Sequence, residues 1–512
     1  MAVSAAASYL ISRAMHGRGW RPSIRARAAT GAVDAGLGRL AWLVVAVLPQ
    51  LIVGRATGIN LIDAWWNFGL GELMFRHRQL VTADPFSFTP AVSNIVNQQW
   101  LAELVWAGSR DLAGTTGVLF VQSGAIAISA LAVWSIGRMI GASCRALVIA
   151  SVLTAWILGG YFGVRAQSLA FPVAAVTLWA LQRGGRAAWL AVPLTALWAN
   201  LHGSFPLAIV FAGAFAAGSA VSRAPLRQVA AYLVITACVA LTTLINPFGA
   251  DVWRYVAEMN SNAALRTYLP EWAPTTIQTV PGKIFFAELA AGIAIIALRR
   301  PRVPPVWAAL AGGLAVFTLA SSRNIPWFGL LSTPLWALIL DRSFPLFADH
   351  ATNRRTVILM LGVAVMALIA TSSGGVVSRL SVGGRAPEDR ESSLRDLTEY
   401  LIEHPASRLY NEADWGAYLE ANIAPAQVFI DTRFEVHPLS LWNDYYAVAT
   451  ARFDWQSILT QYGVERIAID PTRDRDLERA LEASGDWSIE WMTNHGSSQI
   501  VVWRQVPRPL DK

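Results

Sequence analysis

Six residues of this 512-residue chain carry side chains capable of chemistry and stand where apolar sequence stops: Asp63, Arg165, His202, Asn246, Glu271 and Arg323. An aspartate at the edge of an apolar segment suits a general base acting on a hydroxyl. Asp63 is such a residue, in INLIDAWWNFGLGELM, followed by Trp65 and Trp66. The same position also reads as a helix N-cap, worth about 1 kcal/mol. Arg165, in GVRAQS, and Arg323, in SSRNIP, bear planar guanidinium groups that grip phosphate oxygens two at a time. An arginine near a helix end can equally do no more than reach the lipid headgroups. His202 shares WANLHGSF with Asn200. The pair suits binding of a metal or a phosphate or the orientation of a base, and a plain helix end fits as well. Glu271, beside Trp272, suits the hydroxyls of an acceptor or a sugar, or only solvent. Asn246-Pro247 is first of all a turn signal.

Long apolar elements must position these ends. Hydrophobic residues make up 54% of the chain and charged ones 15%, with a positive mean hydropathy, which excludes an ordinary soluble protein and predicts a polytopic helical membrane protein. Twenty-two tryptophans suit many water–lipid interfaces. The net charge of +7 comes mostly from arginines in short loops, with no basic stripe interleaved with aromatics, so no nucleic-acid partner is expected. Two cysteines, Cys144 and Cys238, support no disulfide framework. Residues 1–38 are arginine-rich and weakly apolar and read as a cytoplasmic tail rather than a cleaved leader.

A spanning helix needs about 20 mostly apolar residues. Such stretches recur near 39–58, 115–138, 145–162, 166–182, 187–201, 204–221, 228–246, 284–298, 304–321, 325–341 and 355–372, about eleven spans in all. Arg138, Arg183, Arg186, Arg223, Arg227, Arg299, Arg300 and Arg302 fall at the ends opposite the six polar residues. The positive-inside rule places those arginines in the cytoplasm and the polar six outside. An odd number of spans leaves the chain after about residue 375 outside as well.

Two segments interrupt the apolar pattern. Residues 59–114 form a long outer loop in which Trp65, Trp66, Leu70, Leu73 and Met74 line one face of a short helix lying along the membrane. The transmembrane body, 39–375, ends in a Gly- and Ser-rich stretch, and 376–389 read as a linker. Residues 390–512 have soluble composition: SLRDLTEYLIEH and RDLERALEAS read as helices and QVFID, ERIAID and IVVW as strands, giving a small extracytoplasmic α/β domain.

The first loop continues with ADPFSFT at 83–89 and QQWLAELVW at 98–106. Together with Asp63 and the two tryptophans, this pattern resembles the GT-C superfamily of membrane glycosyltransferases, which includes protein mannosyltransferases, aminoarabinose transferases and oligosaccharyltransferases. It is most similar to multi-pass bacterial proteins grouped there by such motifs, and the likeness extends through WANLHGSF, LINPFG, PEW, SSRNIP, NEADWGAYL and FIDTR. One departure is that Ala64 stands where the mannosyltransferases place a glutamate beside the aspartate. The resemblance implies transfer of a sugar from a polyprenyl-phosphate donor to a glycan, lipid or protein acceptor at the outer face of a bacterial plasma membrane. It implies Asp63 as the catalytic residue. Arg165, His202, Arg323, Glu271, Asn200 and Asp84 are the expected substrate-binding residues.

No cofactor is assigned. The outer-loop carboxylates Asp63, Asp84, Glu103, Asp251 and Glu271 allow a divalent metal bound through oxygen, without a ligand spacing that fixes one. In the outer domain, Asn411, Asp414, Trp415 and Tyr418, with Asp431 and Arg433, suit sugar binding or a structural role. A transporter or flippase of a lipid-linked substrate is the first rival, disfavoured by the lack of an internal repeat and by polar residues at outer ends rather than mid-span. A non-catalytic scaffold is the second, and it would need no ordered polar first loop.

Overall fold

The computed structural model describes residues 24–56, 63–158, 161, 163–347, 355–362, 387–406, 408–423, 428–496 and 498–506. The chain is mainly helical. The first half of the body runs α1 (Ile24–Ala56), α2 (Ala64–His77), α3 (Trp100–Met139), α4 (Cys144–Leu158), α5 (Ala166–Arg183), α6 (Ala191–Leu201) and α7 (Pro206–Val221). It continues through α8 (Leu226–Thr242), α9 (Asp251–Ser261), α10 (Ala263–Tyr268), α11 (Val280–Arg299), α12 (Pro305–Ala320) and α13 (Ile325–Ser343). Every apolar segment expected up to 325–341 carries helix. By length and composition alone, two helices among the described residues, α3 and α11, are long and apolar enough to cross a membrane, and five shorter apolar stretches accompany them. The last expected span is helical over 355–362; its remainder, the tail up to residue 23 and the linker up to residue 386 lie outside the described residues.

Helix α3 joins two functions. Ala113 and Gly114 leave helical geometry, Gly114 with φ +56°, so the loop part 100–112 ends there and the apolar part begins at 115, where the expected span begins. A positive φ is cheap only for glycine. Helices α5 and α13 form the centre. Most side chains of both are buried, and Trp327 packs against Phe171 at 4.8 Å and stacks on Trp198 at 5.8 Å. On the periphery, Leu226, Leu241, Leu298 and Val316 are each more than two-thirds exposed.

The C-terminal region adds α14 (Pro387–Glu403), β1 (Leu409–Asn411), α15 (Ala413–Asn422), α16 (Leu439–Ala449), α17 (Trp455–Tyr462), β2 (Arg466–Ile469), α18 (Arg475–Ser484), β3 (Trp487–His495) and β4 (Ser498–Gln505). The sheet order is β1-β2-β4-β3, with β1 and β2 parallel and the other pairs antiparallel. ERIAID and IVVW are strands as expected. QVFID is not: Val428 makes only single-residue bridges, to Leu409 and to Ser87 of the first loop. The Phe429 N–H donates to the Asn411 side chain and the Val428 carbonyl accepts from the Phe88 N–H, so the backbone groups that would build a ladder are bound elsewhere.

This region sits on the first loop. Helix α2 is buried on more than its expected face, with Ala64, Asn67, Phe68, Gly69 and Gly71 enclosed beside Trp66, Leu70 and Met74. It is wedged between α3 and α15. A Cβ on Gly71 would stand 2.4 Å from the Glu103 carbonyl oxygen, and one on Gly416 of α15 2.4 Å from that of Ile430. Both contacts admit only glycine.

Candidate active site

Four charged residues from four separate connections meet at the end of the bundle under the C-terminal region. Asp63 precedes α2, Arg165 precedes α5, Glu271 lies in the short 3-10 turn Pro270–Trp272, and Arg323 lies in the turn Ser322–Asn324 before α13. They form one alternating row. Arg165 Nε is 2.5 Å from Asp63 Oδ2, Arg165 Nη1 is 3.6 Å from Glu271 Oε2, and Arg323 Nη1 is 3.5 Å from Glu271 Oε1. Their side chains keep between 22% and 32% exposure, so the row is shielded but open to a ligand.

Local structure fixes each member. Asn67 donates to the Asp63 carbonyl at 2.6 Å, and the Trp106 indole donates to the Arg165 carbonyl at 3.2 Å. The hydroxyls of Ser321 and Ser322 both donate to the Glu271 carbonyl at 3.0 Å, which locks the PEW turn to the SSRN turn. The Arg323 guanidinium lies 4.5 Å above the Trp272 ring. Asp63 stands at the N-cap position of α2, yet its side chain makes no capping bond. Its carboxylate is committed to Arg165 instead, so capping does not account for the residue.

The row lines a cavity of ≈ 420 Å³ together with His202, Tyr255, Asp414 and the segment 432–435. His202 Nδ1 accepts the Ser204 N–H at 3.1 Å, which leaves the ring proton of the neutral imidazole on Nε2. Burial, assisted by the charge of Arg323, pushes the His202 pKa down to about 3, in keeping with a neutral ring.

The structure thus brings together Asp63, Arg165, His202, Glu271 and Arg323. It places Asn200 and Asp84 outside the lining. Asn200 accepts from the Trp100 indole at 2.9 Å and donates to the Ile245 carbonyl at 2.7 Å, tying α6 to the first loop and to the end of α8. Asp84 pairs with Arg433 at 2.7 Å and receives the Ser87 N–H. Both side chains are engaged in structural contacts and do not line this cavity. Asn246 closes its own turn by accepting the Phe248 N–H. Of the other outer-loop carboxylates, Glu103 accepts from Asn97 at 2.7 Å and Asp251 pairs with Arg254. Among the described residues no three His, Cys, Asp or Glu side chains gather as metal ligands would.

The outer-domain motifs divide. Asp414 lines the cavity, while Asn411, Trp415 and Tyr418 are buried in packing. Arg433 is held by Asp431, Asp84 and, at 3.7 Å, Glu420. Burial works against charge on Asp431, but Arg433 and His437 outweigh it and hold that carboxylate well below its ordinary range. Sequence reasoning missed Tyr255, Thr432, Phe434 and Glu435 as cavity residues. FIDTR, already noted as a motif, covers the first two residues of that segment and was the available signal.

No family model and no curated protein matches the chain. Among solved structures, the chain is similar to ArnT from Cupriavidus metallidurans bound to undecaprenyl phosphate, at 14% identity and a TM-score of 0.52, covering 91% of this chain and 98% of that one. The apo state of the same protein gives 14% identity and a TM-score of 0.52, covering 94% and 98%. The arabinofuranosyltransferase AftD from Mycobacteria matches at 18% identity and a TM-score of 0.53 over 91% of this chain but 40% of its own. The fold is therefore the one that ArnT and AftD also have.

Proposed function

We propose that the chain is a glycosyltransferase that moves a sugar from a polyprenyl-phosphate donor to an acceptor hydroxyl at the outer face of a bacterial plasma membrane. The observation that carries this reading is the convergence of Arg165 and Arg323 on one carboxylate, Glu271, beside Asp63 in a single cavity. A donor phosphate taking the place of the Glu271 carboxylate would meet both guanidinium groups. The bound lipid phosphate of the Cupriavidus protein supports a donor of that class. The exposed leucines and valines on the periphery of the bundle support a lipid surround, since soluble monomers rarely show so much apolar surface.

In the proposed step the acceptor oxygen attacks the anomeric carbon while Asp63 takes its proton. The bond from that carbon to the phosphate oxygen breaks, and the two arginines neutralise the polyprenyl phosphate as it leaves. Asp63→Asn retains size and can still hydrogen-bond Arg165, but has neither charge nor basicity. In lipid nanodiscs it should transfer sugar from a polyprenyl-phosphate donor about 10²–10⁴-fold more slowly than the parent, while still folding and with a loss of stability limited to that of one partly exposed ion pair. Equal rates would remove Asp63 from the mechanism.

A further inference from the structure

A second cavity adjoins the first. It holds ≈ 440 Å³ between the first loop and α9, and Ser93, Asn94, Arg254, Tyr255, Glu258 and Glu435 line it. Tyr255, Met259 and Glu435 belong to both linings, so the two spaces meet across a thin wall of side chains. Glu435 also borders a third, small void beside Arg433. Tyr255 borders the same three spaces.

The chemistry of the lining narrows the guest. Arg254 is flanked on its own helix by Asp251 at 3.4 Å and Glu258 at 3.7 Å, so its charge is balanced and the space is not built for a phosphate. A lipid chain calls for an unbroken apolar wall, whereas here a hydroxyl, an amide, a phenol and carboxylates interrupt it. Paired donors and acceptors around an aromatic ring suit a neutral ligand rich in hydroxyl groups. Among the described residues no other side chain hydrogen-bonds or ion-pairs with the Glu435 carboxylate, although it is partly buried. Its hydrogen bond is with its own backbone, which leaves the remaining acceptor positions of the carboxylate open to a guest. Burial also pushes its pKa up, which fits a site awaiting a hydrogen-bonding guest.

We infer that the second cavity is the acceptor subsite, that it takes a neutral carbohydrate chain, and that Glu435, supplied by the C-terminal domain, binds a hydroxyl at the reacting end. The word acceptor rests on the glycosyltransferase reading; the carbohydrate site itself does not. The test uses the full chain in nanodiscs with two separate probes, an array of immobilised neutral oligosaccharides and free decaprenyl phosphate. Parent protein should bind at least one oligosaccharide. Ser93→Trp, which fills the second cavity alone, should lose that binding at least tenfold and keep decaprenyl phosphate affinity within about twofold. Glu435→Gln, which preserves volume and so guards against a folding artefact, should weaken the same oligosaccharide about tenfold, the scale of one hydrogen bond to a charged group. No oligosaccharide bound by the parent, or equal binding by both variants, overturns the subsite. Failure of the parent to bind decaprenyl phosphate while oligosaccharides bind would instead sink the donor reading and leave the carbohydrate site standing.

Discussion

Arg165 and Arg323 are the residues whose role can be separated most cleanly from packing. Lysine keeps the positive charge but lacks the planar fork that engages two oxygens together. Arg165→Lys and Arg323→Lys should each weaken polyprenyl phosphate binding roughly tenfold, with the double variant losing more than either. Titration of the parent and variants with decaprenyl phosphate decides it; affinities within twofold would mean that the arginines serve only to hold Glu271 and Asp63. At this scale the sequence was informative wherever a charge interrupted apolar residues, because such a charge needs a wet cavity or a partner. Asp63, Arg165, Glu271 and Arg323 were legible for that reason. Asp84 and Asn200 looked identical by that criterion, since sequence alone does not reveal that Arg433 and Trp100 stand next to them.

Among the elements, the joint between the first loop and the C-terminal domain carries the most buried charge. Arg433 is 3% exposed and faces three carboxylates, Asp84, Asp431 and Glu420. Replacing it with methionine leaves them uncompensated, and Arg433→Met should cost about 3–5 kcal/mol of stability. The readout is thermal unfolding in detergent, and a shift of less than about 1 kcal/mol would show that water reaches the joint. The helices of the body were legible because apolar runs of sufficient length have few alternatives. The break at Ala113–Gly114 was anticipated only through the place where the apolar run starts. QVFID was misread because an apolar pentapeptide has strand character whether its backbone pairs with a ladder or, as here, with Asn411 and Phe88.

For the whole molecule, two expectations follow. The first concerns pH. Burial, then the neighbouring Asp431, raise the Glu420 pKa well above the ordinary carboxylate value. A carboxyl raised on folding contributes stability that is complete below its unfolded pKa, about 4.3, and is lost as pH climbs through the folded value. Asp431 is lowered, so its contribution is lost only as pH falls below the ordinary aspartate range and does not bear on neutral pH. Unfolding temperature should therefore fall as pH rises above the ordinary carboxylate range, and Glu420→Gln should make that slope shallower; identical slopes would show that Glu420 is already ionised in the folded chain. The second expectation concerns orientation. Reporters fused after residue 184 or 301 should read as cytoplasmic, and those fused near 260 or after 400 as external. A cytoplasmic C-terminal reporter would reverse the chain and set Asp63 on the wrong side for the proposed donor.

The wall formed by residues 432–435 also has a consequence in time. Asp63 and both arginines leave the ribosome and can enter the bilayer long before Thr432 is synthesised, so a nascent or truncated chain possesses the charged row but not the enclosure. Completion of the C-terminal domain is the last event in building the cavity. On the proposed function, a chain that stalls before residue 432 should be inserted yet inactive, so that a half-made copy would not consume polyprenyl-linked sugar in unproductive reaction with water.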